Sequence, residues 1–117
     1  MKNRFSINKI TRIVTVELTQ GKYMTIDESQ IPTIAPYRWY ANHIGHTFYS
    51  QTNIRKDGHQ ILIRSHRLLM NCSSGDGVII DHIDGNGLNN ILSNLRAWEK
   101  TGAWQYPNEP VSRGTLG

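Results

Sequence analysis

Between Ile10 and Leu18 the apolar residues Val14, Val16 and Leu18 alternate with Thr15 and Glu17, a period of two that predicts a strand with one buried face. Thr19-Gln20-Gly21-Lys22 supplies a turn, and Tyr23-Met24-Thr25-Ile26 resumes the alternation, so the two segments predict a hairpin. Asp27 is placed to cap a short helix over residues 28–31, which Pro32 and Pro36 interrupt. Tyr37-Arg38-Trp39-Tyr40-Ala41 and His46-Thr47-Phe48-Tyr49-Ser50 are rich in aromatics and flank Gly45, which predicts a second pair of strands. After the polar turn Lys56-Asp57-Gly58, Gln60-Ile61-Leu62-Ile63 predicts another strand. His66-Arg67-Leu68-Leu69-Met70, compact and without turn residues, predicts a short helix. Ser73-Ser74-Gly75-Asp76-Gly77 is a loop, and Val78-Ile79-Ile80 predicts a buried strand that delivers Asp81 and His82 at its end.

Adjacent residues of a regular strand point to opposite faces, so Asp81 and His82 can point the same way only if the strand is irregular there. Asp84-Gly85-Asn86-Gly87 are turn formers that tolerate positive backbone angles. The strand is therefore expected to end abruptly, with both side chains re-aimed. Leu88-Asn89-Asn90-Ile91-Leu92-Ser93 extends the loop, and Asn94-Leu95-Arg96-Ala97-Trp98 returns as a second strand.

With 117 residues the chain is expected to form one domain. Its formal charge of +4 favours a polyanionic partner such as nucleic acid over an acidic substrate, although a mild positive excess is also common in proteins that bind nothing charged. The single cysteine, Cys72, makes neither an internal disulfide nor a thiolate zinc site, which fits a reducing, cytoplasmic setting. No apolar run approaches membrane-spanning length, and the first residues lack the continuous apolar region of a signal peptide. Prolines and glycines without periodicity make residues 107–117 an expected flexible tail.

The order IDHIDGNGLNNILSNLR, from Ile80 to Arg96, resembles the phage and homing-type branch of the HNH endonucleases. YRWYA, TFYS and SHRLLM precede it in the order and approximate spacing of that branch, so the likeness runs from about Asp27 to Arg96. The resemblance implies an α+β fold in which small antiparallel strands lead into a ββα-metal motif, a hairpin and a helix around one divalent ion. It places a single domain over residues 1–106 with the active-site motif at about 64–106. It also implies that Asp81 ligates the metal, that His82 is the general base activating water, and that Asn94 holds the loop and orients the histidine. Magnesium is the expected ion, with manganese the alternative, because a hard cation takes carboxylate and water oxygens and keeps positions open for phosphate. Double-stranded DNA in a bacterial or phage-infected cell is the implied substrate.

The likeness fails at one place. The family's second metal ligand sits on the helix after the hairpin, and the usual separation from Asn94 lands on Ala103, which has no donor atom. Glu99, Gln105 or Asn108 would supply the missing oxygen if the alignment slips; otherwise Asp81 and the phosphate hold the metal alone, or the site is dead. Gly102 and Pro107 also oppose a helix there. Two functions follow: an HNH endonuclease, impaired to some degree at its metal site, or an inactive HNH-derived module that binds DNA or inhibits a protein. Arg64, Arg67 and Arg96 are the candidate phosphate contacts, each of which could equally be a solvated charge. His66 reads as a hydrogen-bonded packing residue, His43, His46 and His59 show no ligand spacing, and Trp39, Tyr40, Phe48 and Tyr49 read as core.

Overall fold

The structure, a computed structural model, describes residues 1–73 and 75–99, and also 104–105; for Glu99, Trp104 and Gln105 it describes the backbone alone. Strands β1 (Phe5–Ile7), β2 (Ile13–Glu17) and β3 (Tyr23–Asp27) form the first antiparallel sheet. The expected alternation is realised there, since Val14, Val16, Met24 and Ile26 are all fully buried. The turn between β2 and β3 takes positive φ at Gln20 and Gly21. A 3₁₀ turn at Glu28–Gln30 leads into helix α1 (Ile31–Ile34), which accepts Pro32 because its first turn has no N–H to lose. Asp27 stands at the predicted cap position, but its carboxylate accepts a hydrogen bond from the distant Leu92 N–H at 2.7 Å instead.

Strands β4 (Tyr40–Ile44), β5 (Thr47–Lys56) and β6 (His59–Arg64) form the second sheet, turning at Gly45 and at Asp57-Gly58. Helix α2 (Ser65–Leu69) follows directly and buries Ser65, His66 and Leu69. Strands β7 (Val78–His82), β8 (Leu95–Glu99) and β9 (Trp104–Gln105) form the third sheet, also antiparallel. One core joins the sheets, with Trp39, Ala41, Leu69, Met70, Leu88, Leu95 and Ala97 packed on the residues of the first sheet. No helix among the described residues is long and apolar enough to cross a membrane.

This architecture corrects the α+β expectation and its ββα-metal motif. The fold is mainly β: among the described residues the two helices have four and five residues, the 3₁₀ turns at Glu28–Gln30 and Leu92–Asn94 have three each, and strands carry the rest of the regular structure. Where the motif needs a helix, β9 pairs with β8 through Ala97↔Gln105 and Trp98↔Trp104. The local chemistry explains the change, because Gly102 and Pro107 disfavour a helix while the aromatic Trp98 and Trp104 suit a pleated surface. Val78-Ile79-Ile80 is also not wholly buried, since Ile79 is 52% exposed on the outward face of the strand.

Candidate functional site

The hairpin of β7 and β8 keeps regular register to its end, with Ile80↔Ala97, Asp81↔Arg96 and His82↔Leu95 paired in turn. Asp81 and His82 therefore alternate rather than turning together, which corrects the expected irregularity. Asp81 and Arg96 lie on the outward face with Ile79 and Trp98, whereas His82 lies inward with Ile80 and Ala97. The turn-forming residues act one step later: Asp84 Oδ1 accepts from Asn86 N–H at 2.9 Å, and Gly85 takes a positive φ of 78°.

The long connection from β7 to β8 is held by the first sheet. Thr25 exchanges backbone hydrogen bonds with Leu88 and Asn90 at 2.9 and 2.8 Å, and Asp27 receives Leu92 N–H. Asn94 fastens the turn: its amide nitrogen donates to Asp84 Oδ1 and to the Asn89 carbonyl, both at 2.9 Å, while its Oδ1 accepts from Asp84 N–H at 3.1 Å. Asn94 makes no hydrogen bond to the His82 ring; its backbone carbonyl receives Ile83 N–H at 2.8 Å, so it fixes the chain immediately after the histidine.

His82 is only 7% exposed, and its Nε2 lies 2.9 Å from Oδ1 of the wholly buried Asn90. Asn90 in turn donates from Nδ2 to Ser65 Oγ at 3.1 Å. The rings of Tyr49 and His66 stand 5.7 and 5.1 Å from that of His82. Burial lowers the His82 pKa, against a smaller upward pull from the Asn90 hydrogen bond and from the charges of Asp84 and Asp81. The ring is thus neutral at pH 7 and able to accept a proton. His66 is driven further, to about 3, chiefly by burial and then by His82, Arg64 and Arg67.

Asn90, Ser65 and Tyr49 carry no site role in the sequence reading, and His66 enters it only as a packing residue. Asn90 reads there as loop, because nothing local marks an asparagine that folding will bury. Its place follows from the docking of residues 88–90 on β3, a contact across more than sixty residues of chain.

Gly87 lets Tyr49 approach this cluster. A Cβ at Gly87 would collide with the Phe48 carbonyl oxygen and stand 2.7 Å from the Tyr49 ring. Gly87→Ala is expected to cost about 1–3 kcal/mol by overpacking and to displace Tyr49. Urea unfolding checks the cost, and a variant as stable as the parent would contradict it.

The three candidate phosphate contacts, Arg64, Arg67 and Arg96, differ in their engagements. Arg67 donates to the Val78 and Ser73 carbonyls at 2.6 and 2.9 Å and pairs with Asp76 at 2.8 Å, closing the loop before β7. That pair and the Val78 and Ser73 N–H groups hold the Asp76 carboxyl down at about 2, the Val78 bond contributing most. Arg96 is bound to Asp81 Oδ2 at 2.5 Å. Arg64 enters no ion pair among the described residues, and its buried Nε has no hydrogen-bond partner among them.

No three His, Cys, Asp or Glu side chains among the described residues are grouped to hold a metal ion. Asp81 is nonetheless a half-exposed carboxylate, 45% accessible, with Oδ2 on Arg96 and no hydrogen bond to Oδ1 among the described residues. One such oxygen fits a hard cation that keeps most of its water and arrives with the phosphate. Ala103 and Asn108 lie outside the described residues, as do the side chains of Glu99 and Gln105 and the tail at 107–117. The chain matches no family model, no curated protein and no solved structure.

Proposed function

We propose that this chain is an HNH-type, metal-dependent endonuclease that hydrolyses phosphodiester bonds of double-stranded DNA in the cytoplasm of a bacterial or phage-infected cell. The observation that carries the reading is His82, a desolvated and therefore neutral imidazole at the very end of β7, where the strand gives way to the Asp84-Gly85 turn; the half-exposed Asp81 precedes it on the opposite face. The net charge of +4 favours a polyanionic substrate. His82 takes the proton from the attacking water. Asp81 would hold magnesium or manganese, which supplies positive charge to the phosphate when bound. Asn94 keeps the turn at Asp84-Gly85 closed, so that the chain beyond His82 stays in place.

Incubating the purified protein with supercoiled plasmid and magnesium or manganese, beside His82→Ala, tests the proposal. Nicking by the parent and none by the variant is the expected result. Equal behaviour of the two proteins would remove the enzymatic reading.

A second reading has an observation of its own. The Asp81–Arg96 pair neutralises the one carboxylate expected to meet a metal, as suits an HNH-derived module that binds DNA, or inhibits a protein, without cutting. Plasmid retarded in a gel but left supercoiled would favour it.

The arginines give a separate expectation. Arg64→Ala should weaken DNA binding about equally on all sequences and reduce the salt dependence by roughly one phosphate contact. Arg67→Ala should instead destabilise the fold by about 1–3 kcal/mol, because it strips donors from the Val78 and Ser73 carbonyls and from Asp76. Anisotropy titrations at several salt concentrations, with melting curves alongside, separate the two. An Arg67→Ala chain that keeps its stability but loses binding would contradict this division.

A further inference from the structure

The hydrogen bonds behind His82 have a direction, and a sulfur atom sets it. Met24, Ser50, Ser65 and Asn90 are all fully buried, so water plays no part in choosing their donors and acceptors. A thioether sulfur has no hydrogen and only accepts. Met24 Sδ lies 3.0 Å from Ser50 Oγ and 3.7 Å from Asn90 Nδ2. In the Ser50–Met24 hydrogen bond Ser50 is the donor; with its one proton so used, its contact with Ser65 takes Ser65 as the donor between the two hydroxyls. With its proton given to Ser50, Ser65 accepts from Asn90 Nδ2 at 3.1 Å. Both neighbours of that end of the amide are thus acceptors. Turning the amide over would set its oxygen against the sulfur, lone pair against lone pair.

We propose that Asn90 is a positioning residue whose amide, oriented by the sulfur of Met24, holds His82 in the tautomer protonated at Nε2 and leaves Nδ1 as the only proton-accepting atom of the ring. Asn90 Oδ1 faces His82 Nε2 at 2.9 Å and can only accept, so Nε2 carries the hydrogen. Nδ1 receives no hydrogen bond from the described residues. The catalytic meaning of the arrangement rests on His82 being the base, because a general base is useful only with its lone pair fixed and free. The tautomer itself can be measured whether or not the protein cuts DNA.

The full chain, labelled with ¹⁵N-histidine and held at neutral pH, reports the tautomer through long-range ¹H–¹⁵N correlations of the ring, with His82→Gln identifying the signals. The parent is expected to show His82 protonated at Nε2 throughout. Met24→Leu keeps apolar volume and removes the acceptor, so the amide can take both orientations and a measurable fraction protonated at Nδ1 should appear. If that variant does not fold, norleucine in place of the three methionines exchanges sulfur for methylene with almost no change of shape and should give the same mixture. Ser65→Ala leaves the sulfur facing Nδ2 and should keep the parental tautomer. A parent protonated at Nδ1, or a folded sulfur-free chain still wholly protonated at Nε2, would overturn the inference. Plasmid left intact by a parent with the expected tautomer would count against the nuclease reading alone.

Discussion

Acidification from pH 7 towards pH 3 is expected to remove on the order of 5 kcal/mol of stability through His66 alone. The folded chain holds His66 at about 3 against an ordinary value of 6.5, because the residue is only 7% exposed and stands beside His82, Arg64 and Arg67. Between those two values the unfolded chain binds a proton that the folded chain refuses. Stability is therefore complete above about pH 6.5 and falls by roughly 1.4 kcal/mol for each unit below it, until the folded pKa is reached. His82 adds a contribution of the same sign, since its pKa is also lowered. The Asp76 carboxyl, held at about 2 against an ordinary 3.8, gives stability that is complete above 3.8 and is lost as the pH falls from there through 2, so its effect overlaps only the lowest part of the His66 range. Urea unfolding across pH 4 to 7 reads the slope. His66→Phe should flatten most of it at little cost near pH 7, because the buried Nδ1 of His66 has no hydrogen-bond partner among the described residues. A parent whose unfolding free energy stays level over that range would contradict the burial of a neutral His66.

The strands were legible wherever one face is buried. Val14 and Val16 against Thr15 and Glu17 predict β2, and the turns at Gln20-Gly21, Gly45 and Asp57-Gly58 fall where the turn-forming residues stand. What the sequence hid is long-range. Asp27 has the chemistry of a helix cap, yet Leu92 brings a half-buried N–H to it from across the fold, and the longer contact prevails. Asn90 and Ser65 stand twenty-five positions apart, and only the docking of the β7–β8 connection on β3 joins them at His82. The resemblance to the HNH hairpin drew attention to Asp81, His82 and Asn94, but it implied a helix that the residues after β8 do not support. Strand pairing of Trp98 with Trp104 is the outcome local propensity favours.

Trp39→Ala is expected to cost about 3–5 kcal/mol and to loosen the site from a distance. Trp39 is 1% exposed and joins three parts of the molecule. Its Nε1–H donates to the Ile34 carbonyl at the end of α1, and its backbone exchanges hydrogen bonds with Asn3, whose amide also donates to the Glu17 carbonyl on β2. Its ring packs edge-on to Tyr37 at 5.9 Å. Truncation leaves a large cavity and an unpaired carbonyl beside the first sheet, the same sheet whose Thr25 and Asp27 hold residues 88–92. The damage should therefore reach Asn90 and, through it, His82. Trp39→Phe separates the two causes, since it keeps most of the ring and removes only the bond to Ile34, which should cost about 1–3 kcal/mol. Chemical denaturation ranks the three proteins, and hydrogen exchange at Asn90 and Leu92 reads the site. If Trp39→Ala loses stability while those two amides stay as protected as the rest of its fold, the first sheet is not what holds the loop beneath His82.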